Sequence, residues 1–343
     1  MSDYMLAEIT SQPDLVGDVL VNNHNTLTKL ASLLKSSAVN SIYLVARGTS
    51  DHAGIYAKYL GEYFLGIPVC LAASSIINLY HKNINFKNVL TMAISQSGEG
   101  PDVIGVMKAA RDQNTPSVAI TNFENSTLAK EAMFTLLCNA GLEKSVAATK
   151  TCTTSMMAAA ALIQQWSGQD GSLDRIPGLI ARILAMRDEI REQVDRFKDS
   201  ESCVVLARGF NYAAALETAL KIQETCYMNA RGFSTADFQH GPIAMLHQGF
   251  PVIIYAFQGP AMAGVDGLLD HLQKIGTHTL LVTNDPSLAS QNRETIFIPG
   301  DYPEVVTPYL SIVFGQVFAY YLARAKGLNP DAPRGLQKVT KTL

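Results

Sequence analysis

Residues 89–100 read Val-Leu-Thr-Met-Ala-Ile-Ser-Gln-Ser-Gly-Glu-Gly. The first six form an apolar, β-rich run, and the next six end it in serines, a glutamine and glycines. A helix-length stretch, Asp102–Gln113, follows. Strand, polar loop and helix in that order are the unit of a parallel α/β sheet. The loop has two readings, an ordinary turn or a pocket for a small anion.

The same unit recurs on both sides. Runs at Ile42–Ala46, Ser117–Thr121 and Thr135–Cys138 form a first set with Val89–Ile94, spaced by helical stretches such as Asp51–Phe64. A second set lies at Cys203–Ala207, Pro251–Ala256, Thr279–Thr283 and Thr295–Ile298. The sets match at nearly one offset: Ala46-Arg47-Gly48 returns as Ala207-Arg208-Gly209, and Thr121-Asn122 as Thr283-Asn284. An internal duplication of one α/β unit accounts for this. The expected layout begins with a helical segment over residues 1–30 and a first subdomain over 31–170. A connection over 171–199 carries one linking helix, Pro177–Phe197, and a second subdomain covers 200–326. The tail, 327–343, is either disordered or folded over something.

The copies differ where chemistry is expected. Ser95-Gln96-Ser97-Gly98 gives way in the second copy to Phe257-Gln258-Gly259-Pro260, so the sheet itself does not require the serines. That favours the anion pocket. In open α/β sheets ligands sit beyond the carboxyl ends of the strands, where a helix N-terminus offers free N–H groups and partial positive charge. A second loop of the first half, Arg47-Gly48-Thr49-Ser50, also joins a strand to a helix. Two such loops side by side can surround one phosphate. About four or five donors, each worth roughly 1.5–3 kcal/mol toward a charged acceptor, would hold it without a lysine. Neither loop matches GxxxxGK[ST] or GxGxxG, which points away from nucleotides and toward a small phosphorylated metabolite.

Composition narrows the class further. Of 343 residues, 48% are apolar and 17% charged, with a net charge of −3; this describes a compact globular chain without the basic clusters of a nucleic-acid binder. The first twenty residues hold no apolar signal core. Val305–Ala323 is apolar but carries Pro308, Ser311, Gly315 and Gln316, and reads as a buried or interface helix rather than a membrane span. Five scattered cysteines and seven dispersed histidines offer no metal site, and reduced thiols in a cytoplasmic protein are the simplest expectation.

The second half supplies candidate acid–base groups. In the helical stretch from Ala213, Glu217, Lys221 and Glu224 are spaced i, i+4, i+7 and share one face. Spacing alone describes an exposed charge stripe. The Ala, Leu, Ile, Thr and Cys around them describe a mostly buried helix, in which charges need partners or a task. His240 precedes Gly241-Pro242 on a tight turn, where a histidine near neutral pKa can shuttle a proton.

Taken in order, RGTS, SQSGE, SVAATK, LETALKIQET, HGP and PRGLQKVTKT resemble the sugar isomerase (SIS) double-domain family. More closely, they are similar to the isomerase half of glutamine–fructose-6-phosphate amidotransferases and to stand-alone glucosamine-6-phosphate deaminases. The likeness runs the length of the chain. It implies an α/β fold of two tandem SIS subdomains, each a parallel-sheet αβα sandwich of flavodoxin-like type, with no cofactor and no metal. By resemblance, Gly48, Thr49, Ser50, Ser95, Gln96 and Ser97 bind the sugar phosphate, while Gly100 stands where the family often has a hydroxyl. Val146 and Ala148 lie on a strip that contacts the sugar, Ala148 replacing a serine. Glu224 is then the base moving a proton between C1 and C2, with Glu217 and Lys221 lining the site. His240 opens the ring from a neighbouring subunit, which makes a homodimer with a shared site the expected assembly. Lys338 closes over the open-chain sugar.

The expected reaction takes glucosamine 6-phosphate and water to fructose 6-phosphate and ammonia. Met1-Ser2 leads straight into the SIS region, so an attached glutaminase is not expected. The alternatives are a fructosamine-6-phosphate deglycase, another phosphosugar aldose–ketose isomerase, and, outside enzymes, a phosphosugar sensor. A sensor predicts an attached DNA-binding domain and no need for Glu224 or Lys338. The expected partner is a phosphorylated amino sugar, with neither nucleic acid nor membrane.

Overall fold

A computed structural model describes residues 3–292 and 294–338. The last five residues of the expected tail lie outside the described residues. Internal contacts group the chain into two units. The amino-terminal unit comprises residues 11–143 and 148–177 and the chain from Gln337 onward. The carboxy-terminal unit comprises the chain up to Thr10, residues 144–147 and residues 178–336.

In the amino-terminal unit five parallel strands, β1 (Ser41–Val45), β2 (Val69–Leu71), β3 (Val89–Ile94), β4 (Ser117–Thr121) and β5 (Phe134–Leu137), lie in the order β2-β1-β3-β4-β5. Counting α1 (Tyr4–Thr10), which belongs to the other unit, its helices are α2 (Gln12–Ser36), α3 (Thr49–Leu65), α4 (Ser74–Asn78), α5 (Pro101–Arg111), α6 (Thr127–Glu131) and α7 (Lys150–Ser167). Helices α2 and α3 both pack on α7, while α5 packs on α4 and α6. Val103, Val106, Met107 and Ala110 of α5 share a core with Val45, Ala93 and Ala119 of the sheet. Central strands buried on both faces read as unbroken apolar runs, which is why β1, β3 and β4 were legible.

The carboxy-terminal unit repeats the plan. Strands β6 (Ser202–Ala207), β7 (Asn229–Ser234), β8 (Pro251–Ala256), β9 (His278–Thr283) and β10 (Thr295–Phe297) are all parallel, in the order β10-β9-β8-β6-β7. Read from the other edge, this is the first sheet strand for strand. Its helices follow α8 (Ile176–Ala185) and α9 (Arg187–Gln193) as α10 (Tyr212–Cys226), α11 (Thr235–Gln239), α12 (Val265–Ile275), α13 (Pro286–Gln291) and α14 (Thr307–Ala325). Phe238, Leu268, Leu272 and Leu288 of α11, α12 and α13 share a core with Val204, Leu206, Val252, Ile254 and Leu281 of the sheet. On α10 lies α14, the one described helix long and apolar enough to cross a membrane, and 94% of that stretch is buried within the protein.

Two expectations are corrected, and of the two alternatives for the tail the structure shows one. The linking helix is not continuous: α8 and α9 are separate, with Met186 between them adopting φ −89° and ψ 10°, and a short 3-10 turn ends the segment. Two strands, β2 and β7, are additions to the expected sets. The described tail folds over other residues rather than hanging free. Asp331 accepts the backbone N–H groups of Tyr4 at 3.1 Å and Met5 at 2.7 Å, and Arg334 stacks over the Tyr227 ring at 4.3 Å.

Candidate active site

In the amino-terminal unit the strand order reverses between β1 and β3, and the loops after these two neighbouring strands are residues 47–50 and 95–100. Gly48 adopts φ +57° and caps α3, so Thr49 and Ser50 form its first turn, half-buried. Ser95, Gln96 and Ser97 are half-buried ahead of α5. Ser95 Oγ accepts the Gly98 N–H at 3.2 Å, and the Gln96 carbonyl accepts the Asn122 N–H at 3.1 Å, which fixes the loop against β4. Gly98 is required: its φ is +64°, and a Cβ there would meet Ser126 Oγ at 2.3 Å. Gly100 caps α5 without a side-chain hydrogen bond. The Arg47 guanidinium donates through Nε to Asp102 at 2.9 Å and through a terminal nitrogen to Ser74, tying the first loop to the starts of α4 and α5. Sequence reading passed over Arg47, Asp102 and Ser74, although the repeated Ala-Arg-Gly was a signal.

A second group in this unit centres on Glu143, whose side chain is fully buried. Its carboxylate accepts the N–H of Thr149 at 3.0 Å and of Thr151 at 3.2 Å, the Thr151 hydroxyl at 2.8 Å, and Lys338 Nζ at 2.6 Å. Burial by itself pushes this carboxyl up. The Lys338 charge and hydrogen bond, with the two threonines, outweigh burial and hold it below the usual carboxylate range. Glu143 therefore fixes both the start of α7 and the Lys338 ammonium. A lone acid carries no spacing pattern, so nothing in its neighbourhood marked it. Ala148 is half-buried in this unit. Val146, also half-buried, lies in the short segment grouped with the other unit and donates its N–H to the Asp331 carbonyl at 3.3 Å.

In the carboxy-terminal unit the three charges of α10 form one cluster. Lys221 Nζ lies 2.5 Å from Glu224 Oε2 and 3.4 Å from Glu217 Oε1. The Lys221 and Glu217 side chains are 0% and 1% exposed, whereas Glu224 is 22% exposed. Close packing causes the burial: a Cβ on Gly315 of α14 would fall 2.0 Å from Thr218 Oγ1, so only glycine lets the two helices meet there. Thr218 in turn shares a 2.7 Å hydrogen bond with the Tyr255 hydroxyl, whose pKa burial raises. Lys221 thus sits between two carboxylates, of which Glu224 alone reaches water.

His240 ends α11 with its N–H on the Asp237 carbonyl at 3.1 Å, and the residue is exposed. No hydrogen bond joins it to the Glu217–Lys221–Glu224 cluster among the described residues. Nor do three metal-ligating side chains gather anywhere among them.

Comparison with known proteins bears on these groups. The family model "SIS domain" matches residues 36–165 and again 196–324. Glutamine–fructose-6-phosphate aminotransferase [isomerizing] of Pyrococcus horikoshii is 34% identical over 343 residues, which cover 98% of this chain and 57% of that protein. The chain thus spans a little over half the length of the curated relatives it matches. The C-terminal domain of glucosamine-fructose-6-phosphate aminotransferase from Francisella tularensis aligns with a TM-score of 0.86 at 26% identity, covering 97% of this chain and 99% of that one. Glucosamine-6-phosphate deaminase from Thermotoga maritima shares the fold, with a TM-score of 0.79 at 21% identity over 99% and 100% of the two chains.

Proposed function

The chain belongs to the SIS domain family, and on that premise we propose that it is a phosphosugar isomerase that deaminates glucosamine 6-phosphate, giving fructose 6-phosphate and ammonia. The observation that carries the reading is the α10 cluster, two fully buried charges leading to one partly exposed carboxylate. Such a cluster is expensive to bury and weak as a stabilising device, so an acid–base task is the better account of it.

In this reading the loops at Gly48–Ser50 and Ser95–Ser97 hold the phosphate, with Val146 and Ala148 along the sugar. His240, exposed on its turn, protonates the ring oxygen of a sugar bound to a second copy of the chain, so a homodimer is the active form. Glu224 takes the proton from C2 and returns it to C1, a step of the kind worth about 10²–10⁴-fold. Lys221, with Glu217 3.4 Å from its ammonium, and Lys338 offset the negative charge that develops during the transfer. The resulting C2 imine takes up water and releases ammonia, so one water is consumed per ammonia formed.

The test is ammonia release from glucosamine 6-phosphate coupled to fructose 6-phosphate detection, for the wild type and Glu224→Gln. Turnover lost in the variant with phosphosugar binding retained supports the reading; equal turnover in both defeats it. One observation favours a second reading. The relatives at 30–34% identity are named as aminotransferases, and the same groups would serve the reverse direction, making glucosamine 6-phosphate from fructose 6-phosphate and supplied ammonia.

A further inference from the structure

The duplication leaves a second pair of loops at the matching strand ends. Residues 208–211 follow β6 and residues 257–262 follow β8, as residues 47–50 follow β1 and 95–100 follow β3. Both pairs flank the reversal of strand order where open sheets bind ligands. The second pair is already filled. The Glu304 side chain, carried on the 3-10 turn Glu304–Val306 ahead of α14, lies between its loops. A Cβ added to Gly259 would come within 2.9 Å of the Glu304 Cδ and 3.2 Å of Oε2, and one added to Gly209 would lie 3.8 Å from Oε1. Gly259 has φ +146° and Gly209 φ +61°, so glycine is the residue both loops demand. The Ala261 N–H donates to Oε1 at 3.0 Å.

Arg208 and Asn211 line the same recess, whose free volume of about 10 Å³ holds roughly one water at most. Asn211 anchors the turn that bears Glu304: its amide donates to Thr307 Oγ1 at 2.7 Å and its carbonyl accepts the Ser311 hydroxyl at 2.7 Å. Arg208 has no hydrogen bond or ion pair with a described residue. Burial pushes the Glu304 carboxyl up, and the Ala261 N–H opposes that shift.

We propose that Glu304 is a resident anion, whose carboxylate occupies in the second cradle the position that a substrate phosphate takes in the first. The inference rests on the reading of residues 47–50 and 95–100 as a phosphate cradle. It makes the second cradle a latent oxyanion site, so that each chain takes one phosphate rather than two. Truncating Glu304 frees the Ala261 N–H and opens the recess lined by Arg208 and Asn211 to an oxyanion small enough to enter.

Thermal unfolding of the full chain in inorganic phosphate, against chloride at matched ionic strength, tests this with Glu304→Ala and Glu304→Gln. Phosphate is expected to raise the Tm of Glu304→Ala by about 2–4 °C more than that of the wild type. Glu304→Gln, which keeps the recess filled, is expected to gain nothing. On a Ser95→Ala/Ser97→Ala background the wild-type response should fall while the Glu304→Ala gain persists. A Glu304→Ala variant no more responsive to phosphate than the wild type overturns the proposal. If that variant does not fold in chloride, recovery in phosphate supports the proposal and equal loss in both buffers overturns it. Failure of the first cradle would show separately, as a wild-type response that Ser95→Ala/Ser97→Ala leaves unchanged.

Discussion

Replacing Lys221 with methionine keeps most of the side-chain volume and removes the charge. Glu217, 1% exposed at 3.4 Å from the ammonium, then remains in the interior with its lysine gone. Breaking a buried pair in this way costs about 3–5 kcal/mol, because the remaining charge has lost its compensation without regaining water. Glu224 adds little to that figure, since its 22% exposure lets solvent take over. For a cooperative unit of roughly 150–250 residues, each kcal/mol moves the Tm by about 2–4 °C, so a fall on the order of 10 °C is expected. Differential scanning calorimetry at neutral pH reads it. Two controls fix the cause. Lys221→Met with Glu217→Gln should recover a large part of the loss, giving a clear coupling term in the double-mutant cycle. Lys58→Met breaks an exposed pair, 3.8 Å from Glu62 with side chains 38% and 45% exposed, and should cost at most about 1 kcal/mol. If Lys221→Met proves no more harmful than Lys58→Met, the account of α10 as a buried charge cluster is wrong.

Other consequences can be measured independently. Gly98→Ala puts a Cβ 2.3 Å from Ser126 Oγ at φ +64°, so the loop after β3 must shift; the expected cost is about 1–3 kcal/mol in urea unfolding, with weaker binding of any phosphosugar. Gly315→Ala drives a Cβ to 2.0 Å from Thr218 Oγ1 and should cost about 1–3 kcal/mol by separating α14 from α10, with a loss of turnover that tracks the tilt of Glu224. Glu143, whose pKa is lowered in the folded state, contributes stability that is present above the ordinary carboxyl range and lost as pH falls through its folded value. Lys338→Met removes the main opposing influence, so the acid-unfolding midpoint should move to higher pH, as circular dichroism against pH would show.

The duplication was visible because the inner strands β1, β3, β4, β6, β8 and β9 are apolar along their length, as sheets covered on both faces require. The two missed strands are edges. Val69-Cys70-Leu71 is three residues long, and its last two are exposed. Asn229–Ser234 carries an asparagine, an arginine, a glycine and a serine on an edge. Gly232 in it is explained only by the fold, since a Cβ would lie 2.8 Å from the backbone of α10. The charged face of α10 was readable as a face, but its burial depends on α14, almost a hundred residues later. The Glu143 hub was not readable at all, because its partners Thr149, Thr151 and Lys338 make no periodic pattern with it. For the burial of α10 and for the Lys338 side of the Glu143 hub, the deciding contact joined residues distant in the chain.

The assignment of α1 to the carboxy-terminal unit and of Lys338 to the amino-terminal one bears on how the protein is made. Helix α1 buries Met5 and Ile9 completely and packs on α14, and the carboxylate that caps it, Asp331, stands 326 positions beyond Met5. During synthesis at about 5–20 residues per second, that helix leaves the ribosome many seconds before its docking surface exists. The amino-terminal unit likewise lacks Lys338, the cation facing the buried Glu143, until 195 further residues have been made. Neither copy of the ancestral unit is therefore a self-sufficient folding module, and a gene cut between the copies would yield two products, each with an apolar helix face or a buried charge left open.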